Sequence, residues 1–225
     1  IMNAAEEDDE IKFKDIYRFD NKTRNSPIGV YYAISEDGHL FYAGYSDYRK
    51  DSSTANKPLV KFHLLTDQNG EAIENVLAVA GWSTDYTPPP PSSRISKPSG
   101  VVLTTGGQLY AWGYNDYGQF GNGTISSDYV EYAVPITTGI SDIVSVHCSF
   151  ETTYLITASG DVYASGDNSK GQFGNGTTDS STTFIKLPLT GVKKIASSAG
   201  TETAPGTLAT YALKKDGTLY GWGAY

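Results

Sequence analysis

Cysteine is almost missing: Cys148 stands alone among 225 residues, so no disulfide can staple the chain internally. Histidine is nearly as scarce, with only His39, His63 and His147, and these offer no Cys/His set at metal-ligand spacing. Positive charge is also short. Seventeen Lys and Arg against 25 Asp and Glu leave a net charge of −8, and a surface of that sign repels phosphate backbones and anionic lipid. We therefore expect neither nucleic-acid binding nor membrane insertion. No apolar run approaches the ~18 residues a spanning helix needs. The start, from Ile1 to Glu10, lacks the basic and apolar regions of a secretion signal, and residues 1–10 read as an acidic solvated tail.

What is present points to strands and turns. Hydrophobic residues make up 39% of the chain, enough for a core, and tyrosine (17) and glycine (24) are abundant beside many Thr, Ser and Asn. Aromatic and β-branched residues suit a pleated, half-buried surface, whereas helix formers are sparse. An internal repeat organises the chain. Gly106 to Thr124 recurs from Ser159 to Thr177, and Gly113 to Gly166, Gly118 to Gly171, Asn122 to Asn175 and Pro135 to Pro188 are all 53 residues apart.

Each unit is built on a hairpin. Val30 to Gly44 turns at Asp37-Gly38, Val101 to Gly113 at Gly106-Gly107, Tyr154 to Gly166 at Ser159-Gly160 and Thr210 to Gly223 at Asp216-Gly217. Asp-Gly between β-rich runs predicts a type I′ turn, with positive φ at both central residues. A further apolar strand precedes each hairpin, at Val76 to Ala80, Ile143 to Val146 and Val192 to Ala196, with Asp15 to Tyr17 as its counterpart in the first unit. The expected units are residues 11–58, 59–123, 124–176 and 177–225. Between first strand and hairpin the second unit holds Trp82 to Ser99 with prolines from Pro88 to Pro91, which predicts a stiff loop, since polyproline cannot extend a ladder.

After two of the hairpins comes Gly-Gln-Phe-Gly-Asn-Gly-Thr, at Gly118 to Thr124 and Gly171 to Thr177. Its glycines suit left-handed turns and close backbone approach, and Phe120 and Phe173 are expected in the core between units. A phosphate cradle would need a following Lys-Ser/Thr and a helix, and neither is there. Asn115, Asp116, Asp167 and Asn168 read as turn residues that bond nearby backbone. The Asn-x-Thr triplets at Asn21, Asn122 and Asn175 are partly products of the repeat and say nothing of secretion.

With these residues the chain resembles the regulator of chromosome condensation repeat family. The match lies in Tyr110-Ala-Trp-Gly-Tyr-Asn-Asp-Tyr-Gly-Gln-Phe-Gly and in Tyr163-Ala-Ser-Gly-Asp-Asn-Ser-Lys-Gly-Gln-Phe-Gly, set against a family pattern of Trp-Gly followed by Asn-x-x-Gly-Gln-Leu-Gly. The likeness is strong from Val76 to Tyr225 and weaker from Ile11 to Pro58, where Tyr45 to Asn56 stands in place of the glycine-rich motif. It implies an all-β propeller of four-stranded blades. About four blades fit this chain, so the resemblance implies a larger ring, completed by further chain or by a partner subunit.

No chemistry-bearing constellation accompanies the fold. His147 and Cys148 are neighbours on one strand, so their side chains point to opposite faces and cannot act as base and nucleophile. His39 and His63 have no orienting carboxylate visible in the sequence. We expect no catalytic residue, no cofactor and no metal, and a partner-binding role instead. Two surfaces compete: the long loops, with Trp82, Tyr86 and Arg94, and an opposite rim of Tyr45, Tyr48, Tyr114 and Tyr117. Members of the family serve as a nucleotide exchange factor on chromatin, an ultraviolet photoreceptor, a secreted enzyme inhibitor and surface or virion proteins, so the resemblance leaves function open. Trp82, Trp112 and Trp222 are too few for a photoreceptor cluster. An acidic, Tyr-rich chain suits an extracellular module on a phage tail or fibre or a bacterial surface, binding protein or glycan of a host. The alternative is a cytoplasmic protein-interaction scaffold of the guanine-nucleotide-exchange type.

Overall fold

The computed structural model describes residues 11–19, 30–43, 62–86, 95–149, 151–197 and 209–223. The first sheet contains Phe13–Phe19 (β1), Val30–Ser35 (β2), Leu40–Ala43 (β3) and His63–Leu64 (β4). The second contains Val76–Tyr86 (β5), Ile95–Thr104 (β6), Leu109–Asn115 (β7) and Ser126–Ile136 (β8). Ile143–Ser149 (β9), Thr152–Thr157 (β10), Val162–Gly166 (β11) and Ser181–Lys186 (β12) form the third. Val192–Ser197 (β13), Ala209–Lys214 (β14) and Leu219–Gly223 (β15) form the fourth. Every sheet is a meander whose strands pair in chain order, and the described residues include no helix. The first strands β1, β5, β9 and β13 each touch the next. The sheets therefore fan out from a common line as blades of a β-propeller.

The glycines in the hairpins explain their closure. Gly38 donates to Ser35 O at 3.0 Å and Ser35 N–H donates to His39 O at 3.0 Å. The same two bonds recur at Thr104, Gly107 and Gln108, at Thr157, Gly160 and Asp161, and at Lys214, Gly217 and Thr218. Only the second residue of each predicted turn pair has positive φ, at 90° in Gly38, 80° in Gly107, 91° in Gly160 and 89° in Gly217. These are three-residue loops, a type I turn followed by a left-handed glycine, and not the expected type I′ turns. The type I turn spares Asp37, Ser159 and Asp216 a left-handed backbone that a Cβ disfavours.

The interval from Trp82 to Ser99 also departs from expectation. Most of it is ladder: β5 and β6 pair from Val76 with Thr104 out to Tyr86 with Ile95. Pairing of β6 with β7 stops at Gly100 with Trp112, so beyond that point β5 and β6 run on as a two-stranded ribbon. Pro98 lies in this ribbon opposite Ser83, where a strand with only one neighbour has an edge that needs no donor. Trp82, placed on the ribbon's base, is buried at 4% exposure.

Three apolar clusters hold successive blades together. Tyr32, Trp112 and Val102 join blades one and two; Phe120, Leu103, Val146 and Leu155 join two and three; Tyr154, Phe173, Ile195 and Ala212 join three and four. Phe120 and Phe173 lie in the core as expected, at 2% and 1% exposure.

Candidate functional site

The glycine-rich connectors form rigid platforms because one buried asparagine pins each of them. Asn115 Oδ1 accepts from Phe120 N–H at 3.0 Å while its Nδ2 donates to Thr124 O at 2.9 Å. Asn168 repeats both bonds, to Phe173 N–H at 2.8 Å and Thr177 O at 3.1 Å, and adds one to Asp179 O at 3.1 Å. These side chains, 2% and 0% exposed, thus reach across whole connectors and not only their own turns. Asn168→Ala should cost about 1–3 kcal/mol, because it strands buried backbone groups. Urea unfolding checks this value, and a loss below about 0.5 kcal/mol overturns the clamp.

The second blade's platform carries an aromatic rim. Tyr114 follows Gly113, where the ladder between β7 and β8 bulges, and its N–H donates to Ser99 Oγ at 3.1 Å. The Tyr114 ring meets Tyr129 of β8 edge-on, with centroids 5.0 Å apart. Tyr117 stands on the connector at 46% exposure, its N–H held by Gln119 Oε1 at 3.0 Å. Ile125 and Tyr132 are also exposed. Beside them, burial raises the Asp116 carboxyl above the usual carboxylate range. The geometry is that of a pre-formed recognition surface: amphipathic rings on a fixed backbone lose little entropy on docking.

The structure separates the residues the sequence grouped together. Tyr114 and Tyr117 lie on this rim, whereas Tyr45 and Tyr48 fall outside the described residues. Trp82 is corrected from loop contact to core residue: its ring lies 6.5 Å from Phe120, drawn in because the ladder continues through its position. Tyr86 ends β5, and Arg94 lies outside the described residues, as do residues 20–29 and 198–208. Tyr129 was missed; it pairs with Tyr114 only through the bulged register, which no sequence pattern announces.

Two polar clusters resemble catalytic sets. His39 Nδ1 lies 2.9 Å from Asp37 Oδ2, an orienting carboxylate the sequence did not reveal. Ser35 Oγ bonds the other oxygen of Asp37, and this bond, then His39, holds that carboxyl below the usual range. The hydroxyl is thus engaged by the carboxylate and not by the imidazole. The cluster sits in a hairpin turn, and Thr157 with Ser159 occupies the equivalent turn of the third blade. It is a turn clamp.

His147 Nε2 lies 3.1 Å from Ser197 Oγ, which is 3.2 Å from Thr210 Oγ1. Burial, aided by the charge of Lys194, pushes the His147 pKa down to about 4. Cys148, on the opposite face of β9, has its Sγ 3.7 Å from Thr153 Oγ1, and burial pushes its thiol up to about 12. A thiol so protonated is a poor nucleophile. No group of three or more His, Cys, Asp or Glu among the described residues is placed to hold a metal.

Comparison with known proteins follows the connectors. Residues 106–156 match the Regulator of chromosome condensation (RCC1) repeat, and residues 143–172 match a second profile of the same repeat. Residues 106–172 thus carry sequence of the RCC1-repeat type. It is similar to the Ultraviolet-B receptor UVR8 of Arabidopsis thaliana, 32% identical over 120 residues that span 53% of this chain and 26% of the receptor. The human X-linked retinitis pigmentosa GTPase regulator is 34% identical over 125 residues, 55% of this chain and 12% of the regulator. Human E3 ubiquitin-protein ligase HERC2 is 29% identical over 125 residues, 55% of this chain and 2% of the ligase. In structure the chain is similar to human WBSCR16, with a TM-score of 0.64 and 17% identity over 96% of this chain and 48% of that one. Yeast RCC1 (Prp20), solved bound to Kap60, gives a TM-score of 0.61 and 16% identity over 96% and 45% of the two chains. At these identities the structural likeness concerns the RCC1 propeller fold alone. The chain spans about half of those solved chains and about a quarter or less of the curated relatives.

Proposed function

We propose that this RCC1-repeat chain is a non-catalytic recognition module that docks a protein partner on the tyrosine rim of its second blade. The observation that carries this reading is the exposed Tyr117 beside the Tyr114–Tyr129 pair, on a backbone fixed by Asn115. The acidic, Tyr-rich composition supports a setting on a virion or cell surface, with host protein or glycan as ligand. A second reading, an intracellular interaction scaffold of the exchange-factor type, is supported by two names: a GTPase regulator among the relatives, and yeast RCC1 solved with Kap60 among the structures.

The test is capture of partners on the immobilised 225-residue chain, compared with Tyr117→Ser. An aromatic anchor contributes ~2 kcal/mol or more to an interface, so the variant should bind its partner about thirtyfold more weakly. Its melting temperature should not move, because Tyr117 lies outside the three core clusters. Unchanged binding by a folded variant overturns the rim, and partner identity then separates surface from intracellular settings.

A further inference from the structure

Negative charge is unevenly spread over the blades. Between Phe62 and Ser149 the described residues include Asp67, Glu71, Glu74, Asp116, Asp128 and Glu131, whereas Lys97 is their one Lys or Arg. Lys97 lies out on the β5–β6 ribbon, opposite Thr84 and beyond the last pairing of β6 with β7, so the four-stranded body of the second blade holds no base. The third and fourth blades carry Lys170, Lys186, Lys193, Lys194, Lys214 and Lys215 beside their carboxylates. There the charges meet, with Lys186 Nζ 2.8 Å from Asp161 Oδ2 and Lys214 Nζ 3.8 Å from Asp216 Oδ2. The body of the second blade has no such counter-charge of its own.

The same blade carries the exposed tyrosines. Asn115 opposes Ser126 and Gly113 opposes Val130, with the register slipping between them, which sets Asp116 and Tyr117 of the connector next to the part of β8 that holds Asp128 and Tyr129. Asp116, Tyr117, Asp128 and Glu131 are all exposed. A short hairpin ahead of β5 adds acid along β8: Asp67 forms a parallel bridge with Ala133, whose N–H donates to Thr66 O at 2.8 Å. The N–H groups of Glu71 and Asn69 hold the Asp67 carboxyl below the usual range, so it stays anionic. A described blade packs on each side of this one through an apolar cluster, so the rim's exposure belongs to the blade itself.

This combination selects among ligands by charge. A partner that covers Tyr117 also takes water from its neighbour Asp116, whose carboxyl is already pushed up by burial. Desolvating a carboxylate is costly unless a cation or strong donors replace the water. An apolar ligand leaves that cost uncompensated, and an anionic one adds repulsion. A guanidinium or ammonium group offsets it, because it pairs with the carboxylate and is also drawn to the electron-rich face of a tyrosine ring.

We propose that the tyrosine rim binds a basic segment of a partner protein, whose Arg or Lys side chains pair with Asp116 and Asp128 and lie against Tyr117. The inference rests on the rim's being the docking surface and adds the charge of what docks there.

The test uses a labelled synthetic peptide in which Arg alternates with Gly, and a twin in which citrulline, uncharged but of similar shape, replaces each Arg. Fluorescence anisotropy on the intact 225-residue chain measures affinity, and backbone amide NMR shifts locate the bound peptide. The Arg peptide should bind at least about tenfold more tightly than its twin, with an affinity that falls as salt is raised. Shifts should centre on Tyr114, Tyr117 and Tyr129. Asp116→Lys and Asp128→Lys should each weaken binding at least about fivefold as attraction becomes repulsion, and Asp179→Lys, the same reversal on the third blade, should change it less than about twofold. All three positions are exposed, so the fold should survive, and Asp128→Lys alone decides if Asp116→Lys does not fold. Equal binding of the two peptides, no binding, or equal effects of the three reversals overturns the proposal. So do shifts away from the rim, including binding through the acidic residues 1–10, which the rim variants leave intact. The rim itself fails by a different result, unchanged partner capture by Tyr117→Ser. A partner lost on Tyr117→Ser but kept by both rim reversals leaves the rim standing and overturns its cationic ligand.

Discussion

Phe173→Ala is expected to lower stability by about 3–5 kcal/mol, and Phe120→Ala by a similar amount. Both rings are almost fully buried, at 1% and 2% exposure, and each fills the space between its connector and the next blade. The loss should lie in the upper part of the range for aromatic deletions, because the site cannot collapse around the cavity. Asn168 holds Phe173 N–H at 2.8 Å, Gly174 rests against the Trp222 ring, and Tyr154 OH donates to Gln172 O at 2.6 Å. Three contacts from two blades thus fix the backbone that would have to move. Urea unfolding with an unchanged slope is the measurement. A loss within about 0.5 kcal/mol for either variant would show that the connector does not join blades.

Positions where backbone conformation restricts residue type were legible in the sequence. A left-handed residue in a tight loop admits glycine and little else, so Gly38, Gly107, Gly160 and Gly217 marked four hairpins. The turn type was misread because Asp-Gly fits two loops: the type I turn with a following left-handed glycine, and the type I′ turn. Phe120 and Phe173 were legible because an aromatic in a glycine-rich segment has little local structure to pack on. Trp82 was misplaced since the four prolines suggested a loop, while the ladder in fact passes Trp82 and runs to Tyr86.

Registers across the sheet were hidden. The 53-residue offset relates Ala111 to Ala164, yet their partners Val134 and Ile185 are only 51 apart. Pro135 and Pro188, which the linear repeat aligns, therefore do not hold the same place: Tyr110 opposes Pro135, but Tyr163 opposes Lys186. That slip of two residues concealed that Ala133 joins the cluster of Trp112, whereas the Phe184 ring lies over Gly121. It also concealed Tyr129, whose contact with Tyr114 needs the bulge at Gly113.

Stability should fall by about 3 kcal/mol between pH 7 and pH 4 through His147 alone, since its pKa drops from 6.5 to about 4 on folding and each unit contributes ~1.4 kcal/mol. The sign follows from proton counting. Between the two values the unfolded chain binds a proton at this imidazole and the folded chain does not, so acid favours unfolding. The contribution is complete above pH 6.5 and is lost as pH falls to 4, with no further loss from this group below that. Burial and the cationic Lys194 oppose protonation of the ring, beside which stand the neutral hydroxyls of Ser197 and Thr210 and, 6.0 Å away, the Tyr154 ring. The depressed carboxyls of Asp37, Asp161 and Asp216 lose their contributions in a lower window, as pH falls through their folded values. These cancel when two proteins with the same carboxylates are compared. Urea unfolding of the unmodified chain and of His147→Gln at pH 7.5 and 4.5 isolates the effect, because Gln can keep a bond to Ser197 and does not titrate. The difference between the two chains should shrink or reverse by about 3 kcal/mol on acidification, in favour of the variant. Parallel pH profiles would mean that His147 remains free to take up its proton in the folded state, and that the packing of β9 on β13 does not exclude it.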